Sequence, residues 1–135
     1  MKQPVLSLIL LAFISQCYAD QHFELKFERG RISTISKNAV VREERDYYSF
    51  TASPGQRVSI AITSLEDNAV FRFQVRNDAK WVPIAKAQEI KVWFGILPKS
   101  DSGRYRIEIG GTRGNASYEL FVGISGHNLP AAPKR

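Results

Sequence analysis

Apolar and polar residues alternate with a period of two along most of the chain after residue 20. Phe23, Leu25 and Phe27, for example, alternate with charged residues. This pattern is typical of β-strands that place one face in a core and the other in water. No segment has the period of an amphipathic helix. The other alternating runs are Tyr48 and Phe50; Val58, Ile60 and Ile62; Phe71, Phe73 and Val75; Ile90, Val92 and Phe94; Tyr105, Ile107 and Ile109; and Tyr118, Leu120, Val122 and Ile124.

Turn signals separate these runs. In "SPGQ" (53–56), Pro54 and Gly55 fit the two central positions of a type II turn. Seven or more short strands joined by turns predict an all-β fold, an antiparallel β-sandwich with a jelly-roll-like arrangement. The segment from Ser33 to Arg45 is the least periodic, and we assign no strand to it. We find no internal repeat and expect a single domain.

The first 19 residues have the features of a secretory signal peptide: a charged start, a short apolar run and a small-x-small cleavage site. The apolar run is too short to span a bilayer. Gln16 stands where a lipoprotein signal requires a small residue, which disfavours acylation of Cys17. We therefore expect a signal peptide at 1–19, a β-sandwich domain at 20–125 and a flexible tail at 126–135, with the mature protein in the periplasm and not inserted in a membrane.

The mature chain would contain 116 residues, enough for one hydrophobic core. Its only cysteine leaves with the signal peptide, so we expect no disulfide and no thiolate site. Eighteen basic residues against 13 acidic ones give a charge of +5. The basic residues are scattered rather than clustered, so the composition predicts no nucleic-acid partner and suits a protein near an anionic envelope.

The titratable residues form no catalytic constellation, so we predict that the protein is not an enzyme and carries no cofactor or metal. His22 and His127 lie near the mature termini, where a Ser-His-Asp triad would be poorly supported. The acidic cluster at 43–46 lies among basic neighbours and is interpreted as a solvated loop rather than a glycosidase pair. Asp101 alone supplies too few oxygen ligands to bind calcium.

Three aromatic residues are candidates for a surface role. Trp81 and Trp93 could stack on sugar rings, but packing in the core or between sheets is the favoured interpretation for both. Tyr47 alternates out of phase with Tyr48 and Phe50, which places it on the outer face of its strand. We therefore expect Tyr47 to be the accessible aromatic residue.

Three segments in order carry a family resemblance: "DYYSFTASPGQRVSIAI" (46–62), "WFGILPKSDSGRYRIEI" (93–109) and "TRGNASYELFVGI" (112–124). They share an Asp-Tyr-x-x-Phe strand, a Gly-Gln turn, a Gly-x-Leu-Pro…Ser-Gly-x-Tyr hairpin and a closing Tyr-x-Leu-x-Val-Gly-Ile strand. This pattern resembles the bacterial periplasmic inhibitors of goose-type lysozyme, within the broader group of pre-peptidase C-terminal-like β-sandwich domains. The "RGNASY" loop is shorter and less basic than is usual in those inhibitors.

The resemblance implies a protein inhibitor that blocks the glycan-cleaving cleft of a lysozyme with loops between strands. In those inhibitors an arginine follows the hairpin tyrosine after the next strand, as Arg113 follows Tyr105 here. We expect the Gly110–Ala116 tip to enter the cleft, with a neighbouring Lys99–Ser102 tip adding contacts. The candidate target-binding residues are Thr112, Arg113, Gly114 and Asn115 in the first tip, Lys99, Ser100, Asp101 and Ser102 in the second, and Tyr47 on the rim.

Two alternatives remain open. A module that binds peptidoglycan or another envelope glycan would use Trp93 and scattered arginines, and would need no enzyme as partner. An immunity protein would block the muramidase of a competing bacterium instead of a host lysozyme. Hydrolytic activity that depends on Glu43, Glu44 or Asp46 would revive an enzymatic function.

Overall fold

The computed structural model describes residues 20–27 and 32–125. The predicted signal peptide at 1–19 and the predicted tail at 126–135 lie outside this part of the chain. The described residues form nine β-strands. They are β1 (Gln21–Glu24), β2 (Ser33–Val40), β3 (Asp46–Thr51), β4 (Arg57–Ser64), β5 (Ala69–Asn77), β6 (Lys80–Pro83), β7 (Val92–Ile96), β8 (Arg104–Gly111) and β9 (Ala116–Ser125).

The strands form two sheets packed face to face, which confirms the predicted β-sandwich. One sheet, here called sheet A, has the order β1-β3-β8-β5-β6, and the other, sheet B, has the order β2-β9-β4-β7. All pairings are antiparallel except that of β1 with β3, which is parallel. The alternating pattern does not distinguish parallel from antiparallel neighbours, so the sequence did not reveal that β1 and β3 are parallel.

The core lies between the inward faces of the two sheets. Tyr105, Phe50 and Phe73 are fully buried, and their ring centroids lie 5.7 to 6.2 Å apart. Burial of large aromatic and aliphatic side chains is the main source of stability for a domain of this size. All the predicted apolar runs supply this core except that of β7.

The predicted orientation of β7 was wrong. Val92 and Phe94 are 67% and 66% exposed, while Trp93 faces inward and packs on Phe73 at 5.0 Å between ring centroids. One large indole ring fills this position between the sheets, and the two smaller apolar side chains on either side then face water. The favoured interpretation of Trp93 as a core or inter-sheet residue is confirmed.

Two strands had no clear signal in the sequence. In the strand β2, at one edge of sheet B, threonine, serine and asparagine occupy most inward positions, so hydropathy hardly alternates. Strand β6 has only four residues and pairs at the edge of sheet A. Edge strands contact a single neighbour and bury less surface, which explains why their patterning is weak.

Among residues 20–27 and 32–125, no helix is long and apolar enough to cross a lipid bilayer.

Candidate functional site

Three loops meet at one end of the sandwich, which we call the Arg113 end. They are the β2–β3 loop (41–45), the β4–β5 turn (65–68) and the β8–β9 loop (112–115). The backbone N–H of Arg42 donates to Oδ1 of Asn115 at 2.7 Å, and the N–H of Thr112 donates to the carbonyl of Asn68 at 2.8 Å. These bonds join all three loops into one surface.

Asn68 holds this surface together from below. This residue is 2% exposed, and its side chain donates from Nδ2 to the carbonyl of Asn115 at 2.9 Å. Its backbone N–H donates to Oγ of Ser64 at 2.9 Å, which closes the β4–β5 turn. A buried amide that satisfies groups on two loops fixes their relative position, since breaking either bond would leave a buried polar group unpaired.

The β8–β9 loop turns sharply because of two glycines. Gly114 has φ +73°, a left-handed conformation that side chains with a Cβ disfavour. A Cβ on Gly111 would lie 2.4 Å from the carbonyl oxygen of Gly114, so the loop folds directly over this residue. The loop is therefore compact and pre-organised.

Replacing Gly111 by alanine should displace this loop, because the added methyl group would collide with backbone rather than with a movable side chain. We expect the hydrogen bonds that Thr112 donates and Asn115 accepts to weaken, and the free energy of unfolding to fall by about 1–3 kcal/mol, as for overpacked positions. Gly114→Ala is the matched control, since its Cβ would meet nothing within 4 Å and only the positive φ opposes it. Chemical denaturation and amide exchange of residues 112–115 would measure both; a smaller effect for Gly111→Ala than for Gly114→Ala would contradict the packing argument.

Arg113 projects from this loop and is exposed. Its Nη2 donates to the carbonyl of Glu66 at 2.9 Å. Within the described residues no carboxylate lies within salt-bridge distance of the guanidinium. Thr112 and Asn115 are exposed beside it, and Gly114 is half-buried. The guanidinium is thus held in place by one bond while its positive charge stays available to a partner.

A buried polar network lies beneath the Arg113 end and links the two sheets. The hydroxyl of Tyr118 in sheet B donates to Oδ2 of Asp46 at 2.6 Å, and the hydroxyls of Tyr118 and Tyr48 lie 2.7 Å apart. Asp46 is 1% exposed, so its assignment to a solvated acidic loop was wrong. Burial raises the pKa of the Asp46 carboxyl, and the hydrogen bond from Tyr118 opposes that rise. Burial also raises the pKa of Tyr118, with the bond to Asp46 adding to the effect.

The second predicted tip lies elsewhere. Strand β8 follows the Lys99–Ser102 segment and leads into the β8–β9 loop, so the two tips flank opposite ends of an eight-residue strand. At a rise of about 3.3 Å per residue they are roughly 25 Å apart. Each segment also crosses from one sheet to the other, so neither is a hairpin turn. The expectation that the two tips are neighbours was therefore wrong.

The Lys99–Ser102 segment has its own structural bonds. Ser100 is buried, and its Oγ donates to the carbonyl of Arg76 at 2.6 Å. Oδ2 of Asp101 accepts from the N–H of Asp78 at 2.7 Å. The hydroxyl of Tyr105 donates to the carbonyl of Pro98 at 2.6 Å. Here the Ser-Gly-x-Tyr pattern closes a loop, and only Lys99, Asp101 and Ser102 have exposed side chains.

Tyr47 lies on neither end but on the outer face of sheet A, as its alternation predicted. Its ring stacks on His22 at 4.8 Å between centroids, and the guanidinium carbon of Arg106 lies 4.6 Å from its centre. Arg106 also lies 4.5 Å from the ring of Trp81, which a second guanidinium, that of Arg76, approaches at 5.2 Å. The five residues form a continuous row of rings and guanidinium groups in the order His22, Tyr47, Arg106, Trp81 and Arg76.

The sequence reasoning missed this row. Trp81 was interpreted as a core residue, which was wrong, because it lies half-buried on the outer face of sheet A with two guanidinium groups against its ring. The available signal for this row was the outward alternation of Arg72, Gln74 and Arg76 on β5. Since the rings of Tyr47 and Trp81 are covered by cations, the row stabilises the sheet surface rather than offering a bare platform for a sugar.

A shallow groove of about 430 Å³ lies between this row and the Arg113 end. Its charged groups are paired with one another: Arg72 bonds Glu89 at 2.6 Å, and Nε of Arg45 lies 3.7 Å from Glu108. Among the described residues no group of three or more His, Cys, Asp or Glu side chains is arranged to hold a metal ion. The groove therefore offers no unpaired charge comparable with that of Arg113.

Solved structures with the same arrangement include PliG of Aeromonas hydrophila, a periplasmic inhibitor of g-type lysozyme, with a TM-score of 0.66 and 24% identity. A mutant of PliG from Escherichia coli, also described as a periplasmic inhibitor of g-type lysozyme, has a TM-score of 0.61 and 19% identity. Each comparison covers 79% of this chain and 100% of the other. This chain has the fold of the PliG inhibitors.

The broader resemblance is confirmed as well. The pre-peptidase C-terminal domain of a collagenase from Bacillus anthracis matches with a TM-score of 0.52 and 12% identity, over 77% of this chain and 96% of that domain. No protein-family model and no curated protein sequence matches this chain. At these identities the PliG structures establish the fold, and the target has to be inferred from the site.

Proposed function

We propose that this protein is a periplasmic inhibitor of a lysozyme, with a goose-type enzyme as its expected target. The observation that carries the proposal is the position of Arg113. On a fold shared with the PliG inhibitors, Arg113 stands on a rigid loop at the end of the sandwich, and no described carboxylate pairs with its charge. The candidate surface is the whole Arg113 end, including Thr112, Gly114 and Asn115.

The chemistry of the target supports this role. Lysozymes cleave glycans with a carboxyl group whose pKa is raised in a partly apolar cleft. A guanidinium can pair with a carboxylate through two parallel hydrogen bonds, and the charges make these bonds stronger than neutral ones. Arg113 would engage such a carboxylate and keep substrate out of the cleft. Because the loop is already folded, little conformational entropy is lost on binding.

The Lys99–Ser102 segment is too far away to enter the same cleft. Lys99, Asp101 and Ser102 would contact the target only through a second patch about 25 Å from Arg113, a span set by the length of β8. We therefore place the contact at the Arg113 end alone. Tyr47, held in the row on the outer face of sheet A, would lie outside the contact.

A net positive charge opposes the approach to a cationic lysozyme. Long-range repulsion slows association at low salt, whereas charges more than about 10 Å apart are largely screened near 0.1 M salt. The proposal therefore predicts association that becomes faster with added salt if the target is cationic, the reverse of steering by opposite charges.

The test is the lysis of bacterial cell walls by goose-type, chicken-type and invertebrate-type lysozymes, with and without the purified protein. We expect inhibition of the goose-type enzyme at a stoichiometry near one, because a single Arg113 end is present in each chain. Isothermal titration with the same three enzymes would measure binding directly. Hydrolysis of the cell wall by this protein alone would contradict its role as an inhibitor.

Binding to isolated peptidoglycan in a sedimentation assay distinguishes the glycan-binding alternative. Trp93, its expected contact, packs on Phe73 in the core, which removes the residue on which that alternative depended. Sedimentation with peptidoglycan and no inhibition of any lysozyme would overturn our proposal. Inhibition of a bacterial muramidase but none of the three lysozymes would instead favour an immunity protein.

A further inference from the structure

Leu65 is the most exposed large apolar residue in the described part of the chain. Its relative exposure is 101%, whereas the next values are 67% for Val92 and 66% for Phe94, which lie on a sheet face. Leu65 stands instead at the tip of the β4–β5 turn, within the Arg113 end. An isolated exposed leucine is common on protein surfaces, so its significance depends on its setting.

The setting is rigid. The N–H of Asp67 donates to the carbonyl of Ser64 at 3.1 Å, which makes Leu65 a central residue of a closed β-turn. Oγ of Ser64 accepts from the N–H groups of Asn68 and Ala69, and Nζ of Lys91 pairs with Asp67 at 2.6 Å. Nothing in this turn requires leucine, because the central positions of such turns favour polar residues and proline.

The turn is also bonded directly to the proposed contact. The carbonyl that Arg113 uses for its hydrogen bond belongs to Glu66, the residue after Leu65. Leu65 also lines two shallow grooves of about 170 and 400 Å³ that share Ser117. An apolar side chain thus extends from a fixed backbone position beside a guanidinium that no carboxylate of the described residues pairs.

We propose that Leu65 is the apolar anchor of the same contact, and that the target lysozyme has an apolar subsite beside the carboxyl group that receives Arg113. This inference rests on the proposed function and extends it to the chemistry of the partner. A leucine fully exposed in the free protein gains the most when a pocket buries it. Interfaces commonly combine such an anchor with a polar contact at its edge.

The test measures inhibition of goose-type lysozyme by Leu65→Asn, Leu65→Met and Ile96→Asn. Burial of a leucine side chain corresponds to at least about a tenfold effect on affinity, so we expect Leu65→Asn to raise the inhibition constant by tenfold or more. Leu65→Met should stay within about threefold of wild type, because it keeps an apolar side chain of similar volume. Ile96→Asn, at an exposed position near the opposite end, should leave inhibition unchanged.

The melting temperature of Leu65→Asn should match that of the wild type, since the side chain makes no buried contact. If Leu65→Asn inhibits as well as the wild type while Arg113→Ala does not, the anchor is overturned and the proposed function stands. If the wild-type protein inhibits no lysozyme, the proposed function itself fails.

Discussion

Replacing Arg113 by alanine is expected to weaken inhibition of goose-type lysozyme by about 100-fold, which corresponds to roughly 3 kcal/mol. The loss is large because truncating one partner of a desolvated charge pair leaves the other charge buried without a partner. Arg113→Lys should be intermediate, since it keeps the charge but cannot form two parallel bonds. Inhibition constants from cell-wall lysis and affinities from isothermal titration would measure the series.

The matched control is Arg57→Ala. Arg57 is exposed at the start of β4, near the opposite end of the sandwich, and its removal changes the net charge by the same amount. We expect this variant to inhibit like the wild type. Equal losses for the two variants would mean that general charge, rather than a specific contact of Arg113, governs binding. Inhibition untouched by Arg113→Ala would move the contact to another surface.

Replacing Tyr118 by phenylalanine is expected to lower stability by about 2–4 kcal/mol at pH 7, because Asp46 loses its buried donor. Tyr48 loses its partner in the same substitution. The matched control is Tyr105→Phe, which removes a partly buried hydroxyl from a neutral carbonyl at Pro98. There we expect a loss of about 1 kcal/mol. Urea denaturation followed by tryptophan fluorescence would measure both variants.

The effect of Tyr118→Phe should depend on pH. Burial raises the pKa of Asp46 in the folded state above its ordinary value, so the carboxyl favours folding when protonated, and this contribution is lost as pH rises through the folded-state pKa. The hydrogen bond from Tyr118 limits that rise, and its removal raises the pKa further. The loss of stability caused by Tyr118→Phe should therefore be small below about pH 4 and grow towards pH 7.

The Tyr105→Phe deficit should stay constant over the same range, because no carboxylate is involved. An equal deficit for Tyr118→Phe at pH 3.5 and pH 7 would show that Asp46 does not carry a buried charge. In the Asp46→Asn background the pH dependence should disappear. These measurements also bear on function, because the network lies directly beneath the loops of the Arg113 end.

The sequence by itself determined the sandwich and most of its core. Alternation placed Phe50, Phe71 and Tyr105 inward because a strand with one buried face must repeat every second residue. The turn at Pro54 and Gly55 was also predictable, and Gly55 has φ +87° in the structure. Local rules suffice where each residue interacts mainly with its own strand and turn.

Other features were decided only by tertiary structure. The alternation of β7 pointed Val92 and Phe94 inward, but both faces of this strand carry apolar residues, and the packing of Trp93 on Phe73 decided the orientation. Asp46 is buried because Tyr118, 72 residues away, reaches it from the opposite sheet. The two predicted tips are separated by the full length of β8 because successive connections cross between sheets at opposite ends. The exposed Leu65 likewise lies beside Arg113 because two loops that are distant in sequence meet at one end of the sandwich. Such contacts depend on the topology of the strands, which no local pattern encodes.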